Sequence, residues 1–469
     1  MSTSPPIRQV SMARAVVVTC CAIFLITLDV TIVNVSLPAI GRTFDANTSE
    51  LQWVVDAYTL VFASLMLSSG SLTDRLGSRR VFAAGLTIFL IGSILCGLSP
   101  TVIALLVSRA IQGVGAAAAL PASLSLLREC VEDPQERARA IALWAAGGTI
   151  SLAAGPILSG VLTSSLGWQT IFFVNIPFAL LGLWGLRSLP RSTGHYAKFD
   201  VSGQILAVIA LASLTFAIIE VGETGVSSPQ VLTGIAVFVV SAFWFLYVER
   251  RKETVVVPVD LASDRIFLGC LGVGTILNIT NFGILFILAL YFQDVRHTSA
   301  LTAGMLFVPM MVTIGLGNLN VGRVTKRFGT RATIVAGLFI EAIGFAMFIA
   351  TSSTEPLWVP VLSTIPVAIG VGIAAPPMMA TLVGGVPPER VGLASGALNS
   401  SRQMGSVMGV AIFGLLITTA GGVVNAIRFA SVMSVILLVV MAILAIPMLR
   451  PTEKQNEPLM QRAEEPAQS

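Results

Sequence analysis

The sequence predicts an all-α polytopic membrane protein, with fourteen transmembrane helices arranged as two six-helix bundles plus two linker helices. Three observations predict it: a composition too apolar for water, an alternating distribution of basic residues, and an internal repeat. The chain has 469 residues, of which 55% are hydrophobic and 11% charged, and its mean hydropathy is +0.88. A soluble domain carries about 25% charged residues. Most of this surface must therefore face lipid.

Apolar runs near the spanning length of about 20 residues follow one another along the chain. They predict helices over 15–40, 51–72, 81–98, 101–127, 139–163, 170–187, 201–220, 230–248, 266–292, 301–321, 332–351, 357–384, 395–418 and 430–449. The first run exceeds the apolar core of a cleavable signal peptide, about 7–15 residues, so it reads as a retained helix. With the N-terminus in the cytoplasm, basic residues concentrate on the cytoplasmic side, as the positive-inside rule requires. All but four of the 28 Lys and Arg fall in cytoplasmic segments, Arg402 among them. Arg42, Arg296 and Arg428 fall in external loops, and Arg109 lies inside a helix. One helix more or fewer midway would scramble this alternation.

Two internal echoes predict the bundles. Gly70-Ser-Leu-Thr-Asp-Arg-Leu-Gly-Ser-Arg-Arg80 returns as Gly322-Arg-Val-Thr-Lys-Arg-Phe-Gly-Thr-Arg-Ala332, an offset of 252 (322 − 70). Pro134-Gln-Glu-Arg137 returns as Pro387-Pro-Glu-Arg390, an offset of 253 (387 − 134). Matching offsets at separate places indicate a duplicated unit. Each spans eight helices, so six helices, two inserted helices and six more is the simplest order. The predicted domains are a cytoplasmic tail over 1–14, a bundle over 15–187, a linker with two extra helices over 188–265, a bundle over 266–449, and a disordered cytoplasmic tail over 450–469. The expected location is a cell membrane, multi-pass, with both termini cytoplasmic.

Several functions are excluded. The formal charge of +4 is small and no long basic run exists, so nucleic acid is not an expected partner. The five cysteines have no metal-ligand or disulfide-framework spacing. His195 and His297 fall in loops on opposite sides, so no metal site is expected. No phosphate-binding loop is present, and no arrangement of residues suggests an enzyme. No cofactor is expected, and the oligomeric state is open, with a monomer sufficient.

Five features carry chemistry. Leu28-Asp-Val-Thr-Ile-Val-Asn-Val-Ser-Leu-Pro38 puts Asp29 near the middle of the first helix. An ionised Asp there costs on the order of 2.5–3.5 kcal/mol and needs a partner, water or a proton. It is either a coupling or substrate-contacting acid, or a structural carboxylate bonded to Thr31, Asn34 or another helix. Arg109-Ala-Ile-Gln-Gly-Val-Gly115 puts Arg109 deep in the fourth helix, where a carboxylate or backbone carbonyls must meet it, with Gln112 one turn away. Glu341 is central in the eleventh helix, as a second protonatable acid or a structural one. The loop Gly70, Asp74, Arg75, Gly77, Arg79, Arg80 joins the second and third helices, where Gly77 permits a tight turn. In the fifth helix Gly147, Ser151, Gly155, Ser159 and Thr163 recur every four residues. They form a stripe that lets another helix approach, with Pro156 and Gly160 adding a bend.

These motifs, with Trp53-Val-Val-Asp-Ala-Tyr58, Gly167-Trp-Gln-Thr-Ile-Phe-Phe-Val-Asn-Ile-Pro177 and Gly392-Leu-Ala-Ser-Gly-Ala-Leu-Asn-Ser-Ser-Arg-Gln403, give the chain its family likeness. It resembles the major facilitator superfamily, and within it the fourteen-helix drug:proton antiporters. The likeness covers nearly the whole chain. It implies that the 70–80 loop latches the two halves on the cytoplasmic side, and that Arg109 takes part in proton transfer. It also implies that Gly155-Pro-Ile-Leu-Ser-Gly160 is the antiporter motif, with Ser159 replacing a usual glycine. Lys326 in the second-half loop replaces Asp74 and should not form the same latch.

The expected function is proton-coupled export of small organic molecules by alternating access, driven by the proton gradient alone. Protonation of Asp29 would loosen the hold on a cationic or polar substrate. Asp56, near the outer end of the second helix, is expected to meet water, with a coupling role as the alternative. Asn278, Asn281, Asn318 and Asn320 either line a polar cavity or join helices. A dedicated exporter of one metabolite is a near alternative. A non-transporting receptor or sensor that keeps the fold is one of a different class.

Overall fold

The protein was described from a computed structural model that covers residues 12–131, 133–190, 201–250, 263–386 and 391–450. Residues 1–11 and 451–469 of the two expected tails, His195, and the Pro387–Arg390 echo lie outside the described residues, while residues 12–14 of the first tail are already helical in α1. So do the side chains of Ser71 and Asp74, although their backbone is helical.

Among the described residues fourteen helices follow in order: α1 (Met12–Phe44), α2 (Thr48–Leu76), α3 (Ser78–Gly97), α4 (Val102–Cys130), α5 (Pro134–Leu166), α6 (Thr170–Phe173 and Asn175–Gly185, interrupted at Val174), α7 (Val201–Thr224), α8 (Pro229–Arg250), α9 (Arg265–Leu290), α10 (Ala300–Phe328), α11 (Thr330–Phe348), α12 (Trp358–Gly384), α13 (Val391–Thr419) and α14 (Val423–Met448). Twelve stretches among the described residues are long and apolar enough to cross a membrane. α2 is not among them, and α8 offers a shorter apolar stretch, Pro229–Phe245. The chain is a multi-pass membrane protein.

Several helices outrun their apolar runs, because a helix ends at its polar cap rather than at the edge of lipid. Asn47 and Glu50 form a reciprocal capping box at the start of α2, with both bonds at 2.9 Å. Asp133 caps α5 ahead of Pro134, and Asp264 caps α9 through Ile266 N at 2.7 Å. Two basic residues expected in external loops are also helical: Arg42 in the last turn of α1 and Arg428 near the start of α14. Arg428 Nε donates to the Thr351 carbonyl at 2.9 Å. A π-helical turn, Tyr291–Val295, extends α9 and was not expected.

The repeat is visible in three dimensions. Gly77 and Gly329 sit at equivalent points of the two echoed loops, with φ of +88° and +83°. In each, the glycine N–H donates to a threonine carbonyl four residues back at 2.9 Å, Thr73 and Thr325. Side chains avoid this backbone region, so glycine is required in both. Packing repeats as well. α1 lies along α5 as α9 lies along α13, and α3 lies along α4 as α11 lies along α12. Thr275 Oγ1 meets Ser401 Oγ at 2.5 Å, as Thr27 meets Ser151 in the first half.

The α5 stripe is the first-half rail. Gly147 and Gly148 face Cys20 and Ile23 of α1, and Gly155 faces Thr31. Further along, Ser36 Oγ bonds Ser159 at 2.8 Å and Thr163 at 2.7 Å. Pro156 and Gly160 face the other way, onto the start of α10, where a Cβ on Gly160 would come within 2.8 Å of the Ala300 carbonyl.

The two halves meet through α2 with α13 and α5 with α10. Gln52 Nε2 donates to the Ala411 carbonyl at 2.9 Å, Gln293 Nε2 to the Val35 carbonyl at 2.7 Å, and Arg42 pairs with Asp294 at 3.7 Å. These ties lie at the end of the molecule where α1 passes to α2. α7 packs against α2 and α13, and α8 rests on α7, so the extra pair sits outside both bundles.

The close crossings set a limit on substitution. A Cβ on Gly85 would lie 2.6 Å from the Ala119 backbone nitrogen, whereas nothing lies within 4 Å of a Cβ on Gly315. Overpacking of this kind costs about 1–3 kcal/mol. Gly85→Val should lower the thermal midpoint of the purified protein and its yield of monodisperse material, and Gly315→Ala should change neither.

Candidate functional site

The site begins where α3 and α4 touch. A Cβ on Gly92 would come within 2.7 Å of the Gln112 backbone nitrogen, so the glycine brings the two helices into contact. That contact sets Ser93 and Cys96 of α3 against Gln112. α4 turns Arg109 and Gln112 into the bundle, α1 supplies Asp29 from the opposite side, and α6 brings Asn175. All are enclosed, and Asp29 and Gln112 have no exposed surface.

Arg109 Nη1 donates to Asp29 Oδ2 in a tight ion pair. The same nitrogen donates to Gln112 Oε1 at 2.8 Å, and Arg109 Nε to the Val54 carbonyl at 2.9 Å. Gln112 Nε2 donates to Asp29 Oδ1 and to Ser93 Oγ, each at 2.8 Å. Asn175 Nδ2 reaches Ser93 Oγ at 3.2 Å and Asp29 Oδ1 at 3.5 Å. The Tyr58 ring lies 4.4 Å from the guanidinium carbon, close enough for cation–π attraction. Five helices thus converge on one ion pair.

Asp29, Arg109 and Gln112, all singled out in the sequence, are brought together, and Asp29 is held by other helices rather than by Thr31 or Asn34. Asn34 stays apart: its Nδ2 returns to the Val30 carbonyl at 3.0 Å and its Oδ1 has no partner. Glu341 also stays apart, buried in the second half, where Thr280 Oγ1 donates to its Oε1 at 2.6 Å. Asp56 overturns the expectation of water contact. It is fully buried and neither carboxylate oxygen meets a donor, because α13 and α7 cover that part of α2.

A cavity lies between the halves. α1 and α5 contribute Thr31, Thr149, Leu152 and Ala153, and the remaining wall comes from α9, α10, α12 and α13. Asn278, Asn281 and Asn318 line it, with Phe282, Met311 and Met378; Asn320 instead bonds the Leu316 carbonyl of its own helix at 2.9 Å. Arg402 lines it too, eleven residues into α13. The sequence reading missed this residue. The side-counting rule assigned it to the cytoplasm although the drawn helix, 395–418, already contained it. It is the charged residue among the described lining, so the cavity does not carry the acid that a cationic substrate would seek.

Thr31 and Asp29 are two positions apart on α1. Two residues turn an α-helix through about 200°. One helix therefore shows the cavity a threonine on one face and holds the buried carboxylate on the other.

The family model of the Major Facilitator Superfamily matches residues 19–258 and 271–468. The chain belongs to the major facilitator superfamily. Among superfamily relatives, the methylenomycin A resistance protein of Streptomyces coelicolor is 34% identical over 392 residues, covering 83% of this chain and 82% of the relative. The multidrug resistance protein Stp of Mycobacterium tuberculosis is 34% identical over 396 residues, covering 84% of this chain and 73% of the relative. A bacterial homolog to the human lysosomal transporter Spinster has the same fold, with a TM-score of 0.70 at 15% identity, covering 96% of this chain and 99% of that one. The superfamily consists of transporters, and this chain is a transporter rather than an enzyme.

The ion pair makes a stability prediction. Removing one partner of a buried pair costs about 3–5 kcal/mol, because the other charge is left alone. Arg109→Ala should lower the thermal midpoint of the detergent-purified protein. Adding Asp29→Asn to it should recover part of the loss, since the stranded carboxylate is then gone.

Proposed function

We propose that the chain is a proton-coupled exporter of small organic molecules working by alternating access. The observation that carries this reading is the Asp29–Arg109 pair sealed behind the helix that also lines the central cavity. An intramembrane acid persists where a proton visits it. Relatives named for antibiotic and multidrug resistance support outward transport.

Two bundles, 15–187 and 266–449, rock about the cavity, with α7 and α8 riding outside. A proton from the external side neutralises Asp29. Arg109 keeps its charge, so it loses its counter-ion and pulls toward Gln112 and the Val54 carbonyl. α1 answers to that change on one face and meets substrate with Thr31 on the other. The inside-negative potential adds about 2.3 kcal/mol per proton per 100 mV. No cofactor enters the cycle.

The 70–80 loop, with Asp74, Arg75, Arg79 and Arg80 around the Gly77 turn, acts as the cytoplasmic latch. Gly155, Pro156, Ser159 and Gly160 form the sliding surface between α1 and α10. Glu341, tied to Thr280, is a second candidate for a coupling role. Both termini lie in the cytoplasm of a cell whose membrane holds the protein, and a monomer suffices for the cycle. A single-metabolite exporter is the second reading, favoured by relatives named for one antibiotic each, methylenomycin A and puromycin.

Asp29→Asn should abolish gradient-driven efflux in proteoliposomes, with the protein still monodisperse but its thermal midpoint lowered by the stranded Arg109. Wild-type coupling in that variant would remove Asp29 from the mechanism. A cysteine placed at Arg79 in an otherwise cysteine-free chain should react with an impermeant maleimide only from the cytoplasmic side. External labelling would overturn the topology.

A further inference from the structure

Arg109 and Arg402 both lie well inside spanning helices, eight and twelve positions along α4 and α13, and their surroundings among the described residues differ. Arg109 has a carboxylate, an amide, a carbonyl and an aromatic ring. Arg402 has none of these. Its Nε is enclosed and meets no acceptor, and no carboxylate stands among the described residues that line the cavity with it. Its stem packs on α9, where a Cβ on Gly274 would come within 3.0 Å of Arg402 Cγ.

Gly274, Asn278 and Asn281 follow at helical spacing along one face of α9. Asn278 is satisfied within the protein, donating to the Gly274 carbonyl at 2.8 Å and accepting from Ser406 Oγ at 3.3 Å. Asn281 is not, for its Oδ1 is buried without a donor. The cavity wall thus holds a cation with no counter-ion among the described lining residues.

A charge held in a low-dielectric site without a partner is costly. A ligand that brings the partner removes that cost. We infer that Arg402 anchors a negatively charged group on the transported molecule, a carboxylate or similar planar oxyanion, so that the cavity takes small organic anions. The guanidinium fork matches such a group through two parallel bonds. Leu152, Phe282, Met311 and Met378 receive the apolar body of the same molecule. The inference rests on the exporter reading above. It also sets the electrical character of transport. One proton inward against one monovalent anion outward moves two charges in the same sense, whereas exchange for a monovalent cation moves none.

The test uses full-length protein in proteoliposomes under an imposed proton gradient. The probes are a fluorescent monocarboxylate, its neutral primary amide and a cationic dye of similar size. Wild-type protein should export the carboxylate in preference to the cation, and faster when a potassium–valinomycin potential adds to the gradient. Arg402→Gln should lower the carboxylate-to-amide rate ratio by at least about tenfold, the scale set by one hydrogen bond to a charged group. Arg402→Lys, which keeps the charge, should retain more of that ratio. An unchanged ratio in Arg402→Gln, or preferred export of the cation by the wild type, overturns the inference and leaves the exporter reading standing. No gradient-driven movement of any probe overturns both.

Discussion

A guanidinium is a permanent cation in proteins, and that of Arg109 sits buried among five helices. That pairing of facts constrains much of the first bundle. The guanidinium must find its acceptors in the protein, so α1 has to bring a carboxylate, α2 a carbonyl and a ring, and α4 its own glutamine. Asp29 meets the same demand from the opposite sign. A bare carboxylate at this depth would be as costly as the cation, so each justifies the other. Ser93 and Asn175 then occupy the remaining side of the carboxylate and of Gln112, tying α3 and α6 to the centre. The close α3–α4 crossing at Gly92 is the packing consequence.

In the proposed cycle, the same constraint would let a proton move helices. A proton on Asp29 cancels one charge of a sealed pair and leaves the other exposed to low dielectric. The cluster must then rearrange, and all of its members are rooted in helices of one bundle. α1 has the most direct route to the cavity, since Thr31 faces the lumen from the other side of that helix. It also runs along α5, whose opposite face touches α10 of the second bundle at Pro156 and Gly160. On that proposal, a change at Asp29 would reach an inter-bundle surface through one packed neighbour, α5.

Much of the architecture was legible in the sequence, because lipid enforces simple rules. Apolar length and basic-residue alternation gave the helix number, and the echoed glycines at 77 and 329 gave the duplication. Asp29, Arg109 and Gln112 were legible as costly residues in search of partners, although the pairing itself joins positions 80 residues apart and needs the fold. What was not legible follows from local chemistry or from burial by distant elements. The Asn47–Glu50 capping box carries α2 beyond its apolar run, and the interruption of α6 at Val174 has no apolar signature. Asp56 looked water-exposed from its place near a helix end, but α13 and α7, far away in sequence, enclose it. Arg402 was hidden by the counting rule itself: a rule that sorts cations by side has no place for one that lines a cavity.

In the proposed cycle Asp29 gains and loses a proton beside a permanently charged arginine. Infrared difference spectroscopy of purified protein across a pH titration measures this directly, because a protonated carboxyl has a carbonyl stretch that a carboxylate lacks. The account predicts a carboxyl band that appears as pH falls in the wild type and is missing in Asp29→Asn. Superimposable difference spectra from the two proteins would contradict it.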